Sequence, residues 1–534
     1  MFSNLSFSPS DPRIVVYGGV VVAVLWIVKK ITSKRQLPLP PGPKGLPVFG
    51  NILDLPPKGL PEWEHWAKHK ALYGPMSSVT ILGQTIVLIH DIDIAVEMLD
   101  KKSVKFSNRP SMVFPKMCGY EHEMAILPYD RYHRQTRKLA AGQIGSTSSI
   151  ARFHSLIDDQ ARRFLLYTLR KPYDLELNLQ IQAASIILDM LFGYKVDPNG
   201  RDPLVVLANK FMAEFGEAIV AGAWLVDMIP WLRYLPDWVP GTGFKRIARD
   251  YTRTYEDTMN IPYNFAKEQK EKGIGEDRPS YISRLLDTNP DEDEIELIKN
   301  SAASLYGGGA DTTVAALGFF FLAMTLYPEV QLKAREEIDR VVGNRLPTFE
   351  DRPNLPYVEA VVKETMRWIP IAPLCVPHTS DEEDEFRGYR IPKGSIVVPS
   401  IAFFAQDSNV YTQPDQFKPE RFLGKLGPNE LDPYSFAFGF GRRVCPGRRL
   451  ADANMFLTIA QSLAVFEIKK LVDPKTGIEI DRVVGATPGL VSRPTTFHFD
   501  IKPRSDEHKA LIEAIEIEKP WTGSDAKYLK GLRL

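Results

Sequence analysis

From Asp291 to Tyr327 the chain contains no proline, and after Lys299 it is almost wholly apolar. Such a run predicts one long helix, and a helix apolar on every side has to be buried in a globule. Its middle breaks two rules. Gly307, Gly308 and Gly309 each cost about 1 kcal/mol against alanine in a helix interior, and Asp311 places a carboxyl group where burial is unfavourable. Two violations within one turn point to function. The glycines can loosen the hydrogen-bond ladder so that a ligand or water inserts, and the Asp311 carboxyl and Thr312 hydroxyl can pass protons. A packing contact for the glycines is the plainer alternative, and the residues alone leave both open.

Downstream, the stretch from Phe438 to Ala451 sets one cysteine among glycines and arginines. A thiolate that ligates a metal at the face of a flat cofactor needs backbone that can come close, and Gly441 and Gly447 carry no Cβ. A helix is expected to begin just after Cys445, so its free N–H groups favour the thiolate over the thiol. Haem iron held by one cysteine fits this arrangement. A buried structural cysteine beside the Pro446-Gly447 turn is the alternative.

Phe438, Gly441, Arg443, Cys445 and Gly447 match the haem-binding signature Phe-x-x-Gly-x-Arg-x-Cys-x-Gly, and the chain thereby resembles the cytochrome P-450 superfamily, most of all its microsomal fungal members. The run from Gly308 to Thr313 is similar to that superfamily's oxygen-activation motif. In the helix predicted over Pro356 to Trp368, periodicity puts Val358, Val361, Val362 and Thr365 on the buried stripe and leaves Glu364 and Arg367 as a solvated i,i+3 pair. The resemblance implies the opposite: a buried network of Glu364, Arg367 and Arg421, the last from Pro419-Glu420-Arg421-Phe422. It also implies haem-propionate donors, at Arg137 and at His133 in place of the usual tryptophan, with Tyr132 as the competing register and His378 as a further donor. Ile371 to Leu374 are expected to line the haem-side pocket.

What the resemblance implies as a whole is a mainly α fold with a small β region and haem b between the long central helix and the cysteine-loop helix. Cys445 would be the axial thiolate ligand of the iron, and Asp311 and Thr312 the proton-handling pair. The chemistry would be insertion of one oxygen atom from O2 into an apolar organic substrate. No Gly-x-Gly-x-x-Gly follows a strand and no flavin-type domain is visible, so electrons are expected from an NADPH-cytochrome reductase, with cytochrome b5 as a second candidate donor. Arg442, Arg448 and Arg449 can contribute charge to such a docking face. A haem isomerase or dehydratase of the same fold has no use for a proton relay, and a non-catalytic haem sensor or scaffold needs neither relay nor greasy pocket.

Sixty-six basic residues balance 66 acidic ones, and nothing in that balance suggests nucleic acid. Cys118, Cys375 and Cys445 are odd in number and scattered, so no disulfide framework is expected and the bulk of the chain belongs in a reducing compartment. Residues 14–28 carry no charge and precede Lys29, Lys30, Lys34 and Arg35. With snorkelling lysines this run reaches a membrane span over about 14–31. A cleaved signal peptide would carry its basic residues first. Here they follow, which leaves the remainder cytoplasmic, in a single-pass protein expected in the endoplasmic reticulum membrane. The expected organisation is an anchor over 1–36, a proline-rich hinge over 37–60 acting as a stiff spacer, the haem-binding monooxygenase domain over 61–503 and a tail over 504–534 of unassigned role. Phe211, Phe215, Trp224 and Trp231 could line a greasy substrate entrance, although aromatics at this spacing are more often core.

Overall fold

The computed structural model describes residues 37–529 apart from 58, 199–201, 221, 425–429, 474 and 481–483. The expected anchor and its span lie outside the described residues. Among those described, two helical stretches are long and apolar enough to cross a membrane, Pro172–Phe192 and Glu292–Leu326, and both are mostly buried within the globule.

Six helices organise the site: α1 (Arg131–Ile144), α2 (Leu175–Phe192), α3 (Glu292–Leu326), α4 (Pro356–Trp368), α5 (Arg448–Val465) and α6 (Asp506–Glu518). The predicted long helix is α3. Asp291 caps it by accepting from the Glu294 N–H at 2.9 Å, and the Glu294 carboxylate accepts in return from the Asp291 N–H. Its 35 residues give it a length of about 52 Å, and its apolar sides are covered by α2, α5 and neighbouring helices, which together form the main core. The helix is unbroken. The loosening expected at the glycines is absent, and packing accounts for two of them: a Cβ on Gly307 would stand 2.7 Å from Phe211 Cε1, and one on Gly309 2.8 Å from Ile187 Cδ1. A Cβ on Gly308 would meet nothing within 4 Å.

Among the described residues, eight strands make three small sheets. In the largest, β1 (Met76–Ile81) and β2 (Gln84–Ile89) form a hairpin, β2 runs parallel to β6 (Ile396–Pro399), and β3 (His378–Thr379) pairs antiparallel with β6. The hairpin turn is Leu82-Gly83, both at positive φ, as a two-residue turn matched to strand twist requires. The β4 (Asp384–Phe386) and β5 (Tyr389–Ile391) strands pair with each other, as do β7 (Phe466–Lys470) and β8 (Phe499–Pro503). The last strand begins only at Phe499. The chain before it packs on α3 instead, with Pro494 against Gly318.

Two segments differ from expectation. The proline run is no free spacer: the Pro40 and Pro41 carbonyls accept from Ser78, and the Pro38 carbonyl accepts from the Arg390 N–H. The tail forms α6, which buries Ile512 and Ile515 in the main core.

Candidate active site

Cys445 lies at the end of a turn in which its N–H donates to the Phe438 carbonyl at 2.8 Å. Gly439 and Gly441 sit there at φ of +75° and +53°. A Cβ on Gly441 would be only 2.2 Å from the Leu99 carbonyl oxygen. This glycine is thus required by the protein's own packing. Gly441→Ala should accumulate little folded protein and lower the melting temperature, because the left-handed conformation and the backbone clash together cost more than about 2 kcal/mol. Gly447 caps α5, and a Cβ there would lie 3.9 Å from Cys445 Sγ. Burial pushes the Cys445 thiol up, while the Gly447 N–H, Arg137 and Arg448 pull the other way. The thiolate preference expected from the helix terminus is therefore overridden in the protein alone. A cation bound to sulfur reverses that balance. Phe438 is half-buried and stacks on Tyr434, with ring centroids 5.8 Å apart.

Beside this turn the fold gathers positive charge. Arg443 donates from Nε to the Ser107 carbonyl at 2.7 Å and from Nη2 to the Leu127 carbonyl at 2.6 Å, and its buried Nη1 has no partner. Arg109 donates to the carbonyls of Ala125, Val376 and Pro377 at 2.8, 2.6 and 2.9 Å. His133 on α1 leaves Nδ1 buried and unpartnered, and His378 on β3 leaves Nε2 so. Burial lowers Arg443 to about 9, with Arg109 and Arg137 adding repulsion. It lowers Arg109 to about 10 and also lowers Arg137. His133 falls to about 3 through burial and then the repulsion of Arg443, Arg137 and Arg109. His378 Nδ1 donates to the Phe106 carbonyl at 2.7 Å, so Nε2 carries a proton only as imidazolium, a form disfavoured first by burial and then by Arg109.

Mutually repelling buried cations are unfavourable without an anion among them. Arg109 and Arg443 bond only backbone carbonyls here, and three orphaned polar atoms share their neighbourhood. A bound group carrying two carboxylates, as haem does, would satisfy all of them. The sequence singled out His133, Arg137, His378 and Arg443, and the fold brings the four together. Tyr132, the competing register for His133, is taken up by α3, where its hydroxyl accepts from Asn300 Nδ2 at 3.2 Å. Arg109 was not foreseen. It stands in Ser107-Asn108-Arg109-Pro110 with no motif partner at any fixed spacing.

On α3, Thr312 Oγ1 donates to the Gly308 carbonyl at 2.8 Å. That bond uses the hydroxyl hydrogen and leaves the oxygen lone pairs free. Asp311 is buried and forms an ion pair with Arg493, whose Nη1 also lies 3.3 Å from the exposed Glu176 carboxylate. Sequence reasoning gave Asp311 no partner, since Arg493 lies far along the chain in a segment without a motif.

Glu364, Arg367 and Arg421 are buried together. Arg367 grips Glu364 through Nε at 2.7 Å and Nη2 at 2.8 Å, and Arg421 Nε reaches Glu364 Oε1 at 3.2 Å. The solvated pair read from periodicity is corrected: the chain from Ala405 to Lys418 covers that face of α4 with backbone groups that bond both charges. Of the aromatics proposed for an entrance, Phe211 and Phe215 are core beside α3, Trp224 stacks on Phe114 at 3.6 Å, and Trp231 is exposed. Ile371 packs, half-buried, on the main core.

The Cytochrome P450 family model matches residues 40–491. The chain is similar to Cytochrome P450 monooxygenase ppsD of Aspergillus oryzae, 44% identical over 95% of this chain and 97% of that one. It is 45% identical to Cytochrome P450 monooxygenase claR of Ampulloclitocybe clavipes over 95% and 94% of the two chains, and 41% identical to O-methylsterigmatocystin oxidoreductase of Aspergillus flavus over 96% and 97%.

Proposed function

The chain belongs to the cytochrome P450 family, and from that premise we propose that it is a membrane-anchored haem-thiolate monooxygenase that oxidises an apolar small molecule with O2 and electrons from a partner reductase. The observation that carries the reading is the buried group of Arg109, His133, His378 and Arg443, which presents orphaned polar atoms beside Cys445 and hydrogen-bonds no carboxylate among the described residues. In this reading Cys445 would ligate the iron, its sulfur held by the Gly447 N–H. Arg137, His133, His378 and Arg443, with Arg109, would hold the two propionates, and a carboxylate bound there would favour the His378 imidazolium that can donate from Nε2. Phe438 packs beside the ligand turn. When bound, haem supplies the redox chemistry that inserts one atom of O2 into a substrate and releases the other as water.

The remaining work falls to α3. Thr312 Oγ1, its hydrogen committed to the Gly308 carbonyl, can accept a hydrogen bond from a water and so hold it where Gly308 leaves open space. Asp311 supplies the next proton to that water. Because Asp311 is paired with Arg493, and guanidinium does not give up its proton, Arg493 has to swing towards Glu176 before the carboxylate can be recharged from outside. An anchor over 1–36 and delivery of electrons by an NADPH-cytochrome reductase complete the proposal, with the reaction at the cytoplasmic face of the endoplasmic reticulum membrane.

Thr312→Ala tests the relay. The methyl group fits where the hydroxyl was, so fold and haem content should be unchanged. With reductase present, NADPH and O2 should still be consumed while product per NADPH falls by roughly a hundredfold, the low end of what a positioned proton-transfer group contributes, and hydrogen peroxide rises. Unaltered product per NADPH would make Thr312 an ordinary helix residue and move the relay to other groups.

A further inference from the structure

Between Asn300 and Thr325 the residues of α3 are buried except Ser304, Gly308, Gly309 and Thr312. Ser304, Gly308 and Thr312 recur every fourth position, so they form one stripe on one helix face, and the Cβ position of Gly308 shows that this stripe borders open space. The relay accounts for Gly308 and Thr312 but not for Ser304.

Ser304 is tied to the segment that follows Tyr120. Its hydroxyl donates to Glu123 Oε2 at 2.6 Å and accepts from the Met124 N–H at 3.0 Å. One lone pair remains. Glu123 is 5% exposed, and no lysine, arginine or histidine pairs with it among the described residues. Its neighbours are the Ser304 hydroxyl, the Ala125 N–H and an aromatic wall that includes Tyr120 and Tyr255. Burial pushes the Glu123 carboxyl up to about 7, against the two hydrogen bonds. A carboxyl kept in such a place without a counter-charge is unfavourable for folding, which calls for a role.

We propose that Glu123 fixes Ser304 as a hydrogen-bond acceptor at the far end of the substrate site, selecting apolar substrates that carry a hydroxyl or amine donor about 12 Å from the carbon to be oxidised. The distance is the rise of α3 from Ser304 to Thr312. With its hydrogen held by Glu123, Ser304 Oγ can only accept, so a donor-bearing substrate is bound while an ether or ketone meets lone pair against lone pair. Ser304 touches the substrate, and Glu123 is a positioning residue that acts through it. This inference rests on the monooxygenase reading.

Titration of the haem-loaded full chain with dodecan-1-ol, 1-methoxydodecane and dodecane, followed by the haem absorption shift, tests it. The wild type should bind the alcohol about tenfold more tightly than the ether or the alkane, a typical worth of one buried hydrogen bond. Ser304→Ala should erase the preference, and Glu123→Leu should bring the ether up to the alcohol, because the freed hydroxyl can then donate. Equal binding of all three by the wild type, or a preference that survives Ser304→Ala, would overturn the proposal. Should Glu123→Leu fail to hold haem, Ser304→Ala decides alone. The reduced carbon monoxide spectrum of the same samples reports on the monooxygenase reading separately: a normal haem-thiolate band with equal probe binding sinks only the acceptor site.

Discussion

Arg367→Ala should yield almost no haem-containing protein. Both members of the Glu364–Arg367 pair are fully buried, and the arginine also donates to the carbonyls of Ala405, Pro414 and Gln416 at 2.8, 2.8 and 3.1 Å. Its removal leaves Glu364 without its two-pronged partner, the Ala405 and Pro414 carbonyls without a donor, and the Gln416 carbonyl with only the Arg421 Nη2 contact at 3.5 Å. Breaking a buried pair from one side costs about 3 to 5 kcal/mol, against a total stability of about 5 to 15 kcal/mol for a domain. Arg421 offsets little of this, because it reaches Glu364 through Nε alone at 3.2 Å and spends Nη1 on the Thr412 carbonyl. Arg367→Lys should fail nearly as badly, since an ammonium cannot reproduce a planar fork that serves a carboxylate and three carbonyls at once. Haem content per protein and the melting temperature are the readouts. Wild-type values for Arg367→Ala would return the pair to the solvated helix surface that periodicity indicates.

That pair shows where sequence reasoning stops. The bounds of α4 and α3 were legible because helix signals are local: an apolar stripe, a proline at the first turn, a long run without proline. Exposure is not local. Periodicity assumes that the polar face of a helix meets water, and at α4 it meets the chain from Ala405 to Lys418 instead. The glycines of α3 make the same point from the other side. Composition marked all three as anomalous, yet only the fold separates Gly307 and Gly309, which admit Phe211 and Ile187, from Gly308, which admits nothing of the protein. Arg109, Arg493 and Glu123 escaped because none has a side-chain partner within a few residues. Each gains its meaning from a segment more than 150 positions away, across β3, α2 or α3.

The proposed ligand is marked by five fixed positions around Cys445, and replacing it should have the largest effect on activity. Cys445→Ser keeps the Phe438 turn, since the N–H to carbonyl bond at 2.8 Å is made by backbone alone, and the side chain changes by one atom. Serine is a far weaker donor at neutral pH than a thiolate, so monooxygenase turnover with reductase should vanish while the protein still folds. The thermal transition should stay near that of the wild type, in contrast to Arg367→Ala.

The central claim is that a thiolate from Cys445 holds a haem between α3 and α5. It is tested most directly by the absorption spectrum of the reduced, carbon monoxide-bound protein, recorded for the wild type and for Cys445→Ser. The account predicts the strongly red-shifted band of a thiolate-ligated haem in the wild type and its loss in the variant. A wild-type spectrum without that band, or a variant that retains it, would contradict the account.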